Sequence, residues 1–115
     1  MGGERMSVTL ADEILTAGEG QIRCLINAGG NPAVSMPDRK KIAKALSSLD
    51  LLVTVDPFMT STAKESDYVL PTKMMLERYD IPLSFMGYPV QVKTWAQYAK
   101  PVMNPPRGSQ IVDDW

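Results

Sequence analysis

Apolar and polar positions alternate along the first seventy residues between helical and strand-like spacing. Ser7-Val8-Thr9 opens a helical pattern in which Leu10, Ile14 and Ala17 share one face. Asp12 and Glu13 stand in its first turns, where carboxylates meet free N–H groups and the positive end of the helix dipole. Gly18-Glu19-Gly20 ends it. Ile22-Arg23-Cys24-Leu25-Ile26 is short and nearly continuous in apolar character, as expected of a strand buried on both faces. Gly29-Gly30-Asn31-Pro32 breaks that run.

Pro37-Asp38 begins a second helical segment, with Ile42, Leu46 and Leu49 at i, i+4 and i+7. Asp50-Leu51-Leu52-Val53-Thr54-Val55 is a second strand of the buried type, stopped by Asp56-Pro57. Residues 60–65 allow a helix of one or two turns, and Tyr68-Val69-Leu70 a third short strand ended by Pro71. Apolar strands alternating with helices predict a parallel α/β sheet with helices on both sides. After about Met74 the signals change. Pro82, Pro89, Pro101, Pro105 and Pro106 exclude long helices. Val90, Val92 and Thr94 alternate with Gln91 and Lys93, which predicts one half-buried strand through about Tyr98, at an edge or in a hairpin. From Asn104 the chain reads as extended coil.

Composition narrows the chemistry. A length of 115 residues, 44% of them hydrophobic, allows one small domain with one core. There is no His, which excludes an imidazole base, a Ser–His or Cys–His pair and an imidazole metal site. The single Cys, Cys24, excludes an internal disulfide, a Cys-rich zinc site and a self-contained iron–sulfur cluster. The formal charge of -1 argues against bulk attraction to nucleic acid, and Arg39-Lys40-Lys41 with Lys44 reads as a solvated helix face. No apolar run approaches the roughly 20 residues of a membrane span. The N-terminus lacks the apolar core of a secretory signal, so the chain as it stands reads as cytoplasmic, with a larger parent's compartment open.

Three places can carry chemistry. Gly29-Gly30-Asn31-Pro32 follows a strand: glycines let a ligand's phosphate or ring approach the backbone, and the Asn31 amide both donates and accepts. The same residues also suit a plain tight turn, and no G-x-G-x-x-G fingerprint is present. Asp56 stands just past the second strand, where parallel sheets bind ligands. Its carboxylate can accept from a ribose diol or from the N–H groups of a guanine, or can simply cap a turn. A receiver-domain reading of Asp56 fails, because the first strand ends in Asn27-Ala28-Gly29 without the acidic pair that holds magnesium. Thr60 and Thr62 can contact phosphate or cap the short helix, Asp67 suits local backbone capping, and Arg78 beside Glu77 can approach a pyrophosphate or remain exposed.

Taken in order, G-x-N-P-A-x-S-x-P-D from Gly29, L-D-L-L-V from Leu49, D-P-F-x-T-x-T-A from Asp56, S-D-Y-V-L-P from Ser66 and Glu77-Arg78 closely resemble one family. It is the molybdopterin oxidoreductases of the dimethyl sulfoxide reductase type, which include formate dehydrogenases and periplasmic nitrate reductases. The resemblance runs from about Val8 to Arg78. It implies a small, Rossmann-like, three-layer α/β domain over 1–78 that holds one of two molybdopterin guanine dinucleotides. A Pro-rich extension over 79–115 would pack on the same domain. By position, Asn31 matches an Asn that approaches the cofactor, Val55 and Asp56 match the strand-end pair at its nucleotide end, and Arg78 matches a basic residue after the Glu. Ser66 stands where Ala is usual.

In the family the molybdenum ligand and any iron–sulfur cluster lie upstream of this region. The resemblance therefore implies a piece of a molybdenum or tungsten oxidoreductase, inactive by itself and without bound cofactor on its own. Gly29, Gly30, Asn31, Val55, Asp56, Thr60 and Arg78 would be its cofactor-binding residues. The alternative is a stand-alone α/β interaction or nucleotide-binding module that has lost the cofactor. Expected partners are the remainder of the parent or a second copy. Met59, Met74, Met75, Met86 and Met103 are adaptable residues for such a contact or for core filling.

Overall fold

The computed structural model describes residues 6–80 and 98–113. The chain divides into two compact units, Met1–Pro71 and Thr72–Trp115.

In the first unit a single 3-10 turn, Ser7–Thr9, leads into α1 (Leu10–Leu15). Thr9 Oγ1 lies 2.8 Å from the Met6 carbonyl and 2.7 Å from the Glu13 carboxylate, while Thr9 makes no side-chain cap bond to the helix N–H groups. The helix stops at Thr16, whose backbone is extended, and a turn with Gly18 at φ 136° follows. Ala17, expected on the apolar face, is therefore past the helix and exposed. Ala11 takes that place in the core, with Ile14.

The strands are β1 (Cys24–Ala28), β2 (Leu51–Val55) and β3 (Tyr68–Leu70), all parallel in the order β1-β2-β3. Leu25 pairs with Leu52; Asn27, Thr54 and Val69 form one row; Ala28, Val55 and Leu70 form the last row at the carboxyl edge. The parallel α/β sheet is the one the strand pattern predicts, although β1 starts two residues later than the apolar run.

Between the strands run α2 (Pro32–Ser35), α3 (Arg39–Leu46) and α4 (Ser61–Glu65). Asn31-Pro32 does more than break a strand: Pro32 occupies the first helical position of α2, where its fixed φ and missing N–H carry no penalty. Asp38 caps α3 by accepting from the Lys41 N–H at 3.1 Å, from a left-handed backbone at φ 54° that a short polar side chain tolerates. Ile42 and Leu46 are buried as the spacing predicts, and Leu49 packs at the margin. The core joins Ala11 and Ile14 of α1, Ile42, Ala45 and Leu46 of α3, and Leu52 of β2.

These contacts lie on one face of the sheet. Ile26 is 72% exposed and Tyr68 64%, and Cys24, Ala28 and Leu70 are exposed as well. The first strand is thus not buried on both faces. It stands, among the described residues, at the edge of the sheet, with side chains alternating between a helical layer and the open side. Among the described residues the small α/β fold that the sequence predicts is present, a three-stranded parallel sheet with its helices.

The second unit holds no named helix or strand among its described residues. A parallel bridge joins Thr72 to Val112, and the Lys73–Asp113 ion pair lies beside it at 2.8 Å. An antiparallel bridge joins Asp80 to Ala99, next to the Tyr79 and Tyr98 rings, stacked at 5.7 Å. Glu77 is buried and accepts from the Met74 N–H at 2.9 Å, closing a turn. The strand expected at Val90, Val92 and Thr94 lies outside the described residues. No described helix is long and apolar enough to cross a membrane.

Candidate functional site

Parallel pairing puts the carboxyl ends of all three strands on one edge, so the residues after Ala28, Val55 and Leu70 emerge side by side. The ladder continues one step further, with the Gly29 N–H donating to the Val55 carbonyl at 2.9 Å and the Asp56 N–H to the Leu70 carbonyl at 3.2 Å. Val55 is half-buried, on the open face between Ala28 and Leu70.

The two glycines are there for different reasons. Gly29 has φ 65°, a conformation that disfavours a side chain although a Cβ would meet nothing within 4 Å. At Gly30 a Cβ would lie 3.0 Å from Asn27 Oδ1, so that amide would have to give by a few tenths of an ångström to admit one.

Asp56 is 6% exposed, and its Oδ1 accepts from the Phe58 N–H at 2.7 Å, which folds the chain into an Asx turn. Its Oδ2 accepts from no described residue. Thr60 Oγ1 accepts from the Ala63 N–H at 3.1 Å and so caps α4. Asp67 reaches across to the neighbouring strand, where its Oδ2 accepts from the Leu52 N–H at 2.8 Å. Arg78 belongs to the second unit, while Gly29, Gly30, Asn31, Val55, Asp56 and Thr60 belong to the first.

A chain of polar side chains runs behind these loops, and periodicity alone does not reveal it. Asn27 Nδ2 donates to the Gly30 carbonyl at 2.8 Å and faces Thr54 Oγ1 at 3.4 Å. Thr54 Oγ1 lies 2.7 Å from Ser66 Oγ, which in turn donates to the Thr62 carbonyl at 2.9 Å. A hydroxyl has one proton, so Ser66 spends its own on Thr62 and Thr54 is the donor between the two. At the far end Thr62 Oγ1 accepts from the Ala33 N–H at 3.1 Å and donates to Asn31 Oδ1 at 2.9 Å. Thr54 and Thr62 are fully buried, so satisfying them matters to stability. The signal in the sequence is a polar residue two positions after a core residue: Asn27 after Leu25, and Thr54 after Leu52.

The family model of the molybdopterin oxidoreductases matches residues 4–112. The chain belongs to this family. The match extends beyond Arg78, past the segment in which the motifs are dense. Among its relatives, the probable oxidoreductase YyaE of Bacillus subtilis is 35% identical over 94% of the chain and 15% of that protein. The alpha subunit of an F420-dependent formate dehydrogenase of Methanococcus maripaludis is 41% identical over 64% of the chain and 11% of the subunit. The assimilatory nitrate reductase catalytic subunit of Bacillus subtilis is 36% identical over 64% of the chain and 10% of the subunit. The chain spans about one seventh of the length of the first of these relatives and less of the others.

Proposed function

We propose that this chain is the nucleotide-holding part of a molybdenum or tungsten oxidoreductase, and that it binds the guanine nucleotide end of a molybdopterin guanine dinucleotide. The observation that carries the reading is the shared strand edge, where Gly29 and Asp56 follow directly on the paired residues Ala28 and Val55. The residues present fit such a group. Gly29 leaves open space, Asp56 Oδ2 is an acceptor without a described donor, and the Asn31 amide N–H2 is a donor without a described acceptor. A carboxylate at that edge accepts from the ring N–H and amino group of guanine or from a ribose diol, and it discriminates against bases that lack those donors. Val55 lines the edge on its open side. The Thr60 hydroxyl acts through the α4 cap, and Arg78 lies in the second unit. When bound, the cofactor's metal supplies the redox chemistry, and this chain contributes binding and orientation. The chain alone is inactive.

Titration of the chain with GDP and GMP tests this. Saturable binding in the micromolar to millimolar range is expected, equivalent to about 4–8 kcal/mol. Asp56→Ala abolishes it. Asp56→Asn keeps an oxygen for the Phe58 N–H, so a loss of binding in that variant is a loss of the carboxylate and not of the turn. No binding at millimolar nucleotide would sink the reading for this chain. It would favour the alternative, a module that keeps the fold without the cofactor. That alternative draws on the internal use of Thr60 Oγ1 and Asp56 Oδ1 as caps.

The open face of the sheet suits either the remainder of a parent oxidoreductase or a second copy. The exposure of Met59, Met74, Met75 and Met103 suits the same role, and Met86 lies outside the described residues.

A further inference from the structure

The amide of Asn31 can be oriented without ambiguity. Asn31 Oδ1 faces the Thr62 backbone N–H at 3.1 Å, and that group can only donate. The atom opposite it must be the amide oxygen, so a flipped amide is excluded. The Thr62 hydroxyl adds a second bond to the same oxygen at 2.9 Å. The hydroxyl is itself held, because it accepts from the Ala33 N–H at 3.1 Å and therefore directs its proton to Asn31. Thr62 is fully buried, and the helix it stands on is tied to β2 through Ser66 and Thr54. With the oxygen engaged twice, Asn31 presents Nδ2 and its two protons to whatever occupies the loop. The N–H groups of Gly30 and Asn31 also donate to no acceptor among the described residues. The loop thus offers a run of donors and, from the Asn31 side chain, no free acceptor.

We infer that Thr62 is a positioning residue. It locks the Asn31 carboxamide with its N–H2 outward, so that the β1–α2 loop selects an acceptor-rich group, the phosphates of the nucleotide, while the base is read elsewhere. This rests on the nucleotide reading above and goes beyond it, assigning phosphate selectivity to a residue that touches no ligand.

The experiment compares GDP with guanosine on the full chain, for the wild type, Thr62→Val and Thr62→Ser. Valine keeps the shape of threonine and removes the hydroxyl; serine keeps the hydroxyl. The GDP dissociation constant is expected to rise about fivefold to tenfold in Thr62→Val, with guanosine binding unchanged and Thr62→Ser close to wild type. The side-chain amide of Asn31, followed by NMR, should show slow rotamer exchange in the wild type and in Thr62→Ser, and fast exchange in Thr62→Val. Equal losses of GDP and guanosine, or a serine variant as poor as the valine one, would mean that Thr62 only supports the fold. Wild-type binding that Thr62→Val leaves unchanged overturns this assignment alone. A wild type that binds neither ligand overturns the nucleotide reading, and this assignment with it.

Discussion

The two faces of the sheet are built from alternate residues of the same strands, and they are finished differently. On one face Leu25, Leu52, Asn27 and Thr54 lie under α1, α3 and α4, and the apolar half of that surface continues into the polar chain behind the loops. On the other face Ile26, Tyr68 and Leu70 are exposed, although they are as apolar as the residues opposite. Composition therefore does not separate the faces; what lies against them does. A face that apolar and that open is unusual for a chain that ends its own contacts, and the relatives, of which this chain matches about one seventh or less, have ample further polypeptide.

The largest test of that contrast sets Leu52→Ala against Ile26→Ala. Leu52 is 1% exposed within the core, so its truncation should cost about 2–5 kcal/mol in urea denaturation. Ile26→Ala should change stability by less than about 0.5 kcal/mol. Equal costs would show that something covers the open face in solution, and the contrast would fail.

A second test separates the two halves of the covered face. Thr54→Val removes the hydroxyl that joins Asn27 to Ser66 without changing side-chain shape, at a cost of about 1–3 kcal/mol, because buried partners are left unpaired. No loss in thermal or chemical denaturation would mean that the polar chain is dispensable and that the apolar half alone holds the face. Thr60→Ala, which removes only the α4 cap, should cost about 1 kcal/mol, read in the same way.

Much of this arrangement is legible in the sequence, and the reasons for the rest are physical. The i, i+4 spacing of Ile42 and Leu46 finds α3, and Pro71 and Asp56-Pro57 mark the ends of β3 and β2. Strand-end placement brings out Gly29 and Asp56 as neighbours, since parallel pairing fixes which ends share an edge. The exposure of Ile26 is not legible. An apolar run reads alike whether a second layer is present or absent, because burial on that side depends on polypeptide and not on the strand itself. Gly30 is legible as a turn glycine, but the close approach of Asn27 Oδ1, three residues earlier, depends on how that side chain is turned and not on residue type. The same holds for Ser66. It reads as a minor departure from the usual Ala of the family, yet its hydroxyl is the link that joins β2 to α4.

An equally small change in stability is expected of Ile26→Lys, and it is the sharpest test of what the open face does. The side chain is 72% exposed, so a charge there displaces no core packing and should alter unfolding by no more than about 0.5 kcal/mol. Its effect should fall on association. Ile26 lies in one row with Val53 and Tyr68 on an edge strand, so a lysine would place an ammonium in the middle of any surface that row forms with a partner. If copies of this chain meet through the open face, light scattering at high concentration should show association in the wild type and its loss in the variant, with GDP binding untouched. A wild type that stays monomeric would remove a second copy as the occupant and leave the remainder of a parent oxidoreductase. A variant that associates as the wild type does would move the contact off the sheet.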